Sequence, residues 1–230
     1  MLKLADFSAV IFDMDGLVLD TESTYRIAWQ QAASEMGYDL SGHFCQSLSG
    51  LHYQAVELKL LACFGTDFDL QAFGRNSSDC WREHVKVHGI SIKHGFAGLL
   101  NLLVRYKIPY CLATNSRAVN ALECLALAGL SGVFSHIISR DNVVHGKPEP
   151  DIFFKAAQVL QVDIRRCLVL EDSDAGIMAA ARAGAIRVFI PSIAPVDPMT
   201  VERCNLMISD MAKLTDILHF GGTLDGIPLR

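Results

Sequence analysis

The sequence predicts an α/β protein: a doubly wound parallel sheet, Rossmann-like in order, with a small α-helical domain inserted into it. Three observations carry this reading. Short apolar runs of strand length alternate with longer helical stretches along most of the chain. The runs are rich in Ile, Val, Leu and Phe without polar alternation, as expected of parallel strands covered on both faces. One interval, residues 21–88, breaks the rhythm and reads as helix almost throughout.

The first strand is expected at residues 8–13 (SAVIFD). After it come "TESTYRIAWQQAASEMG", "HYQAVELKLLACFG" and "LQAFGRNSSDCWREHVKVHG", punctuated by the helix-breaking Gly37, Gly50, Gly65 and Gly89. An insertion of this size exceeds any ordinary loop. It is assigned to a helical cap domain, residues 17–92, hinged to an α/β core made of residues 1–16 and 93–230. The core continues with a helix at 95–107, whose Phe96, Leu99, Leu100 and Leu103 form one apolar stripe. Strands at 108–114, 134–139, 166–170 and 185–190 follow, with a weaker one at 206–209. Helices at 117–129, 149–161 and the alanine-rich 173–183 separate them, a strand–helix–strand repetition that defines the fold class. The glycine-rich end, "HFGGTLDGIPLR", reads as a loose tail.

Composition narrows the function. With 230 residues, 51% of them hydrophobic, the chain can fill one large core or two unequal ones. A net charge of -5 with both signs interspersed offers no basic field for nucleic acid. No apolar stretch approaches the roughly 20 residues needed to span a bilayer. "MLKLADFSAVIFD" runs straight into a strand without a signal-peptide cleavage pattern, so a cytoplasmic protein is expected, and a monomer. The seven cysteines (Cys45, Cys63, Cys80, Cys111, Cys124, Cys167, Cys204) are odd in number, scattered and without a CxxC. They read as reduced, small core residues rather than a disulfide framework or zinc site. His84 and His88 have the four-residue spacing of a zinc helix but no HExxH context, and read as a solvent-facing pair.

Ligands of an open parallel sheet bind where its strands end, near the switch point of the strand order. The apolar runs stop at Asp13, at Thr114 (followed by Asn115 and Ser116), and at Glu171 and Asp172, while Lys147 follows a loop after the third run. Several carboxylates in one cleft raise each other's pKa unless cations balance them. Lys147 supplies one positive charge, and a hard divalent ion such as Mg2+ is the natural remainder on oxygen ligands. That combination suits phosphoryl transfer, in which charge on the transferring oxygens must be neutralised. Asp13 could then attack phosphorus and form an aspartyl phosphate. Asp15, two residues on, could protonate the leaving oxygen and later activate water. Gly16 lets the chain turn sharply beside the substrate. The "GKP" around Lys147 lacks the glycine and hydroxyl residue of a P-loop.

"FDMDGLVLDTE", "LATNS", "HGKPEPDIF" and "LEDSDAGI" together resemble the four ordered motifs of the haloacid dehalogenase-like (HAD) hydrolase superfamily. The likeness is strongest to its β-phosphoglucomutase and sugar-phosphatase branch, which carries a helical cap after the first motif. Transferred residue by residue, the resemblance implies Asp13 as nucleophile and Asp15 as general acid/base. Thr114 and Lys147 would hold the phosphoryl group. Mg2+ would sit on Asp13, the backbone carbonyl of Asp15, and Asp172, with Glu171 nearby. Dehalogenase members lack the second aspartate, so Asp15 points to phosphate esters. Mutases of the branch carry a histidine and a cap arginine where counting from Thr21 and Gly50 places Tyr25 and Tyr53. These two tyrosines are therefore expected to meet substrate, together with Gly16, Asn115 and Ser116. Arg117 either reaches substrate or is solvated at a helix start. The motifs are also similar to those of nucleotide and pseudouridine 5'-phosphatases. The expected activity is a Mg2+-dependent phosphatase acting on a small phosphorylated metabolite, a sugar phosphate ahead of a nucleoside monophosphate. A phosphosugar mutase and an inactive phosphometabolite-binding module are the alternatives.

Overall fold

The computed structural model describes residues 2–48, 53–192 and 195–220. The chain divides into two compact units, Met1–Leu19 with Ile92–Arg230, and Asp20–Ser91. Among the described residues no helix is long and apolar enough to cross a membrane.

The first unit is a six-stranded, wholly parallel sheet. Its strands are β1 (Ala9–Phe12), β2 (Tyr110–Ala113), β3 (Ile137–Ile138), β4 (Cys167–Glu171), β5 (Ile186–Phe189) and β6 (Leu206–Met207), in the spatial order β3-β2-β1-β4-β5-β6. The order reverses direction between β1 and β4, where Ile11 pairs with Val169 and Phe12 with Leu170. That reversal is the switch point. The strands at 108–114 and 134–139 are shorter than expected, and the third is only a two-residue edge, because its flanks turn away into loops.

Side chains of β1 alternate between two covered faces, which explains the unbroken apolar run. Ala9 and Ile11 belong to a core shared with Cys111, Val169, Ile152 and Phe153 of α7 (Asp151–Leu160), and Ala179, Ala180 and Ala183 of α8 (Asp174–Ala183). On the other face, Phe12 meets Phe96 of α5 (Phe96–Arg105), Phe134 and Tyr110 edge-on at 5.7, 5.9 and 6.4 Å between ring centroids. The remaining helices of this unit are α6 (Ala118–Leu127), α9 (Pro198–Arg203) and α10 (Met211–Phe220).

The second unit holds α1 (Thr21–Glu35), α2 (Gly42–Gln46), α3 (Tyr53–Phe64) and α4 (Leu70–His88). Asp20 and Asp69 cap α1 and α4 by accepting from Ser23 N and Ala72 N. Helices α1 and α4 pack together, and Trp81 Nε1 donates to Thr24 Oγ1 at 2.9 Å. Tyr25 is stacked between Trp29 and Trp81 at 6.2 and 5.6 Å. Tyr38, Phe64, Phe68 and Phe73 make a separate aromatic cluster. Gly37, Gly65 and Gly89 follow α1, α3 and α4, while Gly50 lies outside the described residues.

All seven cysteines are free thiols. Five are buried, but Cys63 is exposed and Cys204 partly so, which corrects the expectation that all serve the core. Cys63 lies on α3 and Cys204 just after α9, outside the central strands that bury Cys111 and Cys167.

Candidate active site

Asp13 is the first residue beyond β1, Thr114 the first beyond β2, and Glu171 the last of β4. Because β1 lies between β2 and β4, three neighbouring strands deliver their terminal side chains to one edge. Lys147 comes from the loop before α7. Its ammonium pairs with Asp13 Oδ1, lies 2.5 Å from Glu171 Oε1, and donates to the carbonyl of Ala113 at 2.9 Å. The lysine side chain is 4% exposed, those of Asp13 and Glu171 9% and 0%. Charges this deeply buried persist only when paired. The Phe153 ring, 5.3 Å from the ammonium, completes the wall.

The electrostatics follow from that burial. Burial pushes the Asp13 carboxyl well above the usual carboxylate range. Lys147 pulls it back only in part, and Glu171, Asp172 and Asp15 push it further up. Burial by itself would lower Lys147, but Asp13 and Glu171 more than offset this and hold the ammonium above its ordinary value. Asp13, Glu171 and Asp172 each offer one oxygen, all within 4.8 Å of one another. Three carboxylates against one ammonium, all hard oxygen donors, are a donor set that fits a divalent cation such as Mg2+. A cation there would relieve the repulsion that raises Asp13.

Two glycines make the crowding possible. Gly16 has φ +82°, and a Cβ on it would sit 2.0 Å from Asp172 Oδ2. The turn it belongs to is tight, with Val18 N and Leu19 N both bonded to Met14 O, and Gly16 N to Leu19 O at 2.8 Å. At Gly176 a Cβ would fall 1.9 Å from the carboxyl carbon of Glu171, so helix α8 can approach the carboxylate only without a side chain there.

The loop after β2 braces the other side. Asn115 and Lys147 bind each other reciprocally: Asn115 Nδ2 donates to Lys147 O at 3.0 Å and Lys147 N to Asn115 Oδ1 at 2.8 Å. Thr114 does not close the strand as a helix cap. Its hydroxyl accepts from Ser116 N at 2.9 Å and reaches Asp15 Oδ2 at 3.2 Å, while Ser116 Oγ donates to the same oxygen at 2.8 Å. Helix α6 is entered instead through Asp141, whose Oδ2 accepts from Ala118 N at 2.8 Å, and exposed Arg117 lies 3.5 Å from that aspartate.

The structure thus brings together Asp13, Asp15, Gly16, Thr114, Asn115, Ser116, Lys147, Glu171 and Asp172. Tyr25 and Tyr53 belong to the other unit: Tyr25 sits in the tryptophan stack, and the side chain of Tyr53 lies outside the described residues. Two residues at the edge escape a sequence reading. Ser173 caps α8 through Gly176 N and also donates to Glu171 Oε2 at 3.0 Å. Ser192 donates to Asp172 Oδ2 at 2.6 Å. Reading the strand-end rule at β5 as well would have led to Pro191 and Ser192.

A family model described as "haloacid dehalogenase-like hydrolase" matches residues 7–184. The fructose-1-phosphate phosphatase of Escherichia coli (strain K12) is 30% identical over 186 residues, covering 77% of this chain and 93% of the relative. The beta-phosphoglucomutase of Bacillus subtilis (strain 168) is 29% identical over 219 residues, covering 92% and 93%. The crystal structure of a HAD-family hydrolase from Deinococcus radiodurans R1, with bound phosphate and sodium, superposes with a TM-score of 0.77 at 26% identity over 91% of this chain and 94% of that one. The switch-point carboxylates, the buried lysine and the matched span agree, and the chain belongs to the haloacid dehalogenase-like hydrolase family.

Proposed function

We propose that this chain is a Mg2+-dependent phosphatase that hydrolyses a small phosphomonoester through a phosphorylated Asp13. A sugar phosphate is the leading substrate and a nucleoside monophosphate the next. The observation that carries the reading is Lys147 buried between Asp13 and Glu171, with Asp172 beside them, at the adjoining ends of β1 and β4. The family match and a relative named as a sugar-phosphate phosphatase support the reaction class.

Asp13 Oδ attacks phosphorus as the bond to the ester oxygen breaks. The departing oxygen keeps the bonding electrons and takes a proton from Asp15. Water then gives a proton to Asp15 and attacks the aspartyl phosphate, which releases inorganic phosphate and restores both carboxyl groups. Thr114 and the Lys147 ammonium bind and orient the phosphoryl oxygens, and Asn115 keeps the lysine backbone in place. Asp13 and Asp172, with the Asp15 carbonyl, would hold Mg2+, Glu171 remaining close through its pairing with Lys147. When bound, the ion neutralises negative charge on the transferring group. Substrate choice is assigned to the helical cap expected over residues 17–92, with Tyr25 and Tyr53.

A mutase is the second reading, favoured by the beta-phosphoglucomutase relative that matches over most of both chains. Incubation with a panel of sugar phosphates and nucleoside monophosphates, with Mg2+ and then with chelator, separates the readings. Mg2+-dependent phosphate release is expected. Isomer formation from a β-hexose 1-phosphate and its bisphosphate without free phosphate would make it a mutase. Inertness across the whole panel would leave a phosphometabolite-binding module.

A further inference from the structure

Asp15 Oδ2 is gripped by two hydroxyls from the loop after β2. Ser116 Oγ donates to it at 2.8 Å, and Thr114 Oγ1 reaches it at a longer 3.2 Å. The two groups are themselves linked, Ser116 N donating to Thr114 Oγ1 at 2.9 Å. A hydroxyl has one proton to give. Thr114 therefore cannot serve Asp15 and a phosphoryl oxygen together, and phosphate binding takes its donor away from the carboxylate. The Ser116 bond is the shorter of the two and comes from a side chain two residues further along the same turn.

We propose that Ser116 is the positioning residue for Asp15, holding Oδ2 of the general acid/base against the β2 loop after the substrate phosphoryl group has claimed Thr114. The inference rests on the phosphatase reading given above. The Ser116 bond holds Oδ2 of Asp15, and the carboxyl group passes its proton from that held position. As the P–O bond breaks, the leaving oxygen keeps the electron pair and takes that proton. The carboxylate charge left on Asp15 is then met by the Ser116 hydroxyl, a donor already in place. The same bond fixes the carboxylate for the second half-reaction, when it takes a proton from water. Ser116 acts through Asp15 in both halves and need not touch the reacting atoms.

This role is legible in the dependence on leaving group. A phosphoryl ester with an acidic leaving group departs without a proton, whereas a poor leaving group needs the acid in place. Phenyl and p-nitrophenyl phosphate share shape and phosphoryl contacts but differ in that need. For Ser116→Ala, the ratio of kcat/KM for phenyl phosphate to that for p-nitrophenyl phosphate should fall about tenfold or more relative to the wild-type enzyme, a fraction of the roughly 10²–10⁴-fold that a general acid contributes, since Asp15 itself remains. Ser116→Thr, which keeps the hydroxyl, should restore the ratio. A direct contact of Ser116 with the phosphoryl group would lower both constants equally and overturn the proposal, as would failure of threonine to rescue. If Ser116→Ala does not fold, Ser116→Cys, nearly isosteric with a weak donor, reads the same ratio. A wild-type protein active on the pair with an unchanged ratio in the variants removes only the Ser116 role. A wild-type protein inert on both esters and on the whole panel removes the phosphatase reading itself.

Discussion

Lys147 Nζ and Glu171 Oε1 lie 2.5 Å apart with neither side chain appreciably open to solvent, and the other oxygen of the same carboxylate accepts from Ser173 at 3.0 Å. Glu171 is thereby pinned between a strand end and a helix cap, and Lys147 is aimed by it toward Asp13. A buried pair of this kind gains little net stability, since desolvation opposes its attraction. Its value lies in orientation, because neither charge has anywhere else to go.

Replacing Asp13 with asparagine keeps the shape and removes the nucleophilic oxygen. Asp13→Asn should lower phosphate release from p-nitrophenyl phosphate at least about 10⁴-fold, as loss of a covalent nucleophile does. Its thermal midpoint, measured alongside, should still report a folded protein. Retention of even a tenth of the activity would rule out the aspartyl phosphate route.

Metal binding should appear as stability. A ligand that binds only the folded state adds about 2.7 kcal/mol at a hundred times its Kd. Added Mg2+ should raise the melting temperature of the wild-type protein, and chelator should reverse the rise and stop phosphate release. Asp172→Asn should lose most of that shift. The same Mg2+ shift in the variant would move the ion elsewhere.

Gly176→Ala sets two rules against each other. Alanine inside a helix is favoured over glycine by about 1 kcal/mol. Here, however, the new Cβ would fall 1.9 Å from the carboxyl carbon of Glu171. Overpacking should win, so the variant should be destabilised by about 1–3 kcal/mol in urea titration. Activity should fall at least about tenfold as the Lys147–Glu171 pair shifts. A more stable, fully active variant would refute the close approach.

Ser77 illustrates the opposite case. It lies on α4 in the helical unit, buried, and its hydroxyl has no hydrogen-bond partner among the described residues. An orphaned buried hydroxyl costs about 1–3 kcal/mol, and alanine is also the better helix former. Ser77→Ala should raise unfolding stability by about 1 kcal/mol in urea titration. A loss of stability would reveal a bonded hydroxyl.

Periodicity and strand ends in the sequence were enough for the parallel sheet, the helical interval after β1, and the set Asp13, Thr114, Lys147 and Glu171. These are local signals: a doubly covered strand must be apolar throughout, and a carboxylate that closes such a strand advertises its own cost. Strand lengths were less legible: the third strand was expected from Phe134 on, but only Ile137 and Ile138 pair in register with β2, the His136 carbonyl adding one further bond from Leu112 N at 3.1 Å.

What the tertiary structure alone decided is which groups meet across distant segments. Ser116 reaching back to Asp15 and Ser192 to Asp172 join residues far apart in the chain, and even within "LEDSDAGI" only the packed helix shows that Gly176 clears space for Glu171. A hydroxyl or a glycine is an ordinary surface residue until folding places a buried carboxylate beside it. Only then does the need to satisfy that charge make its identity matter, and burial is a property of the packed chain, not of its order.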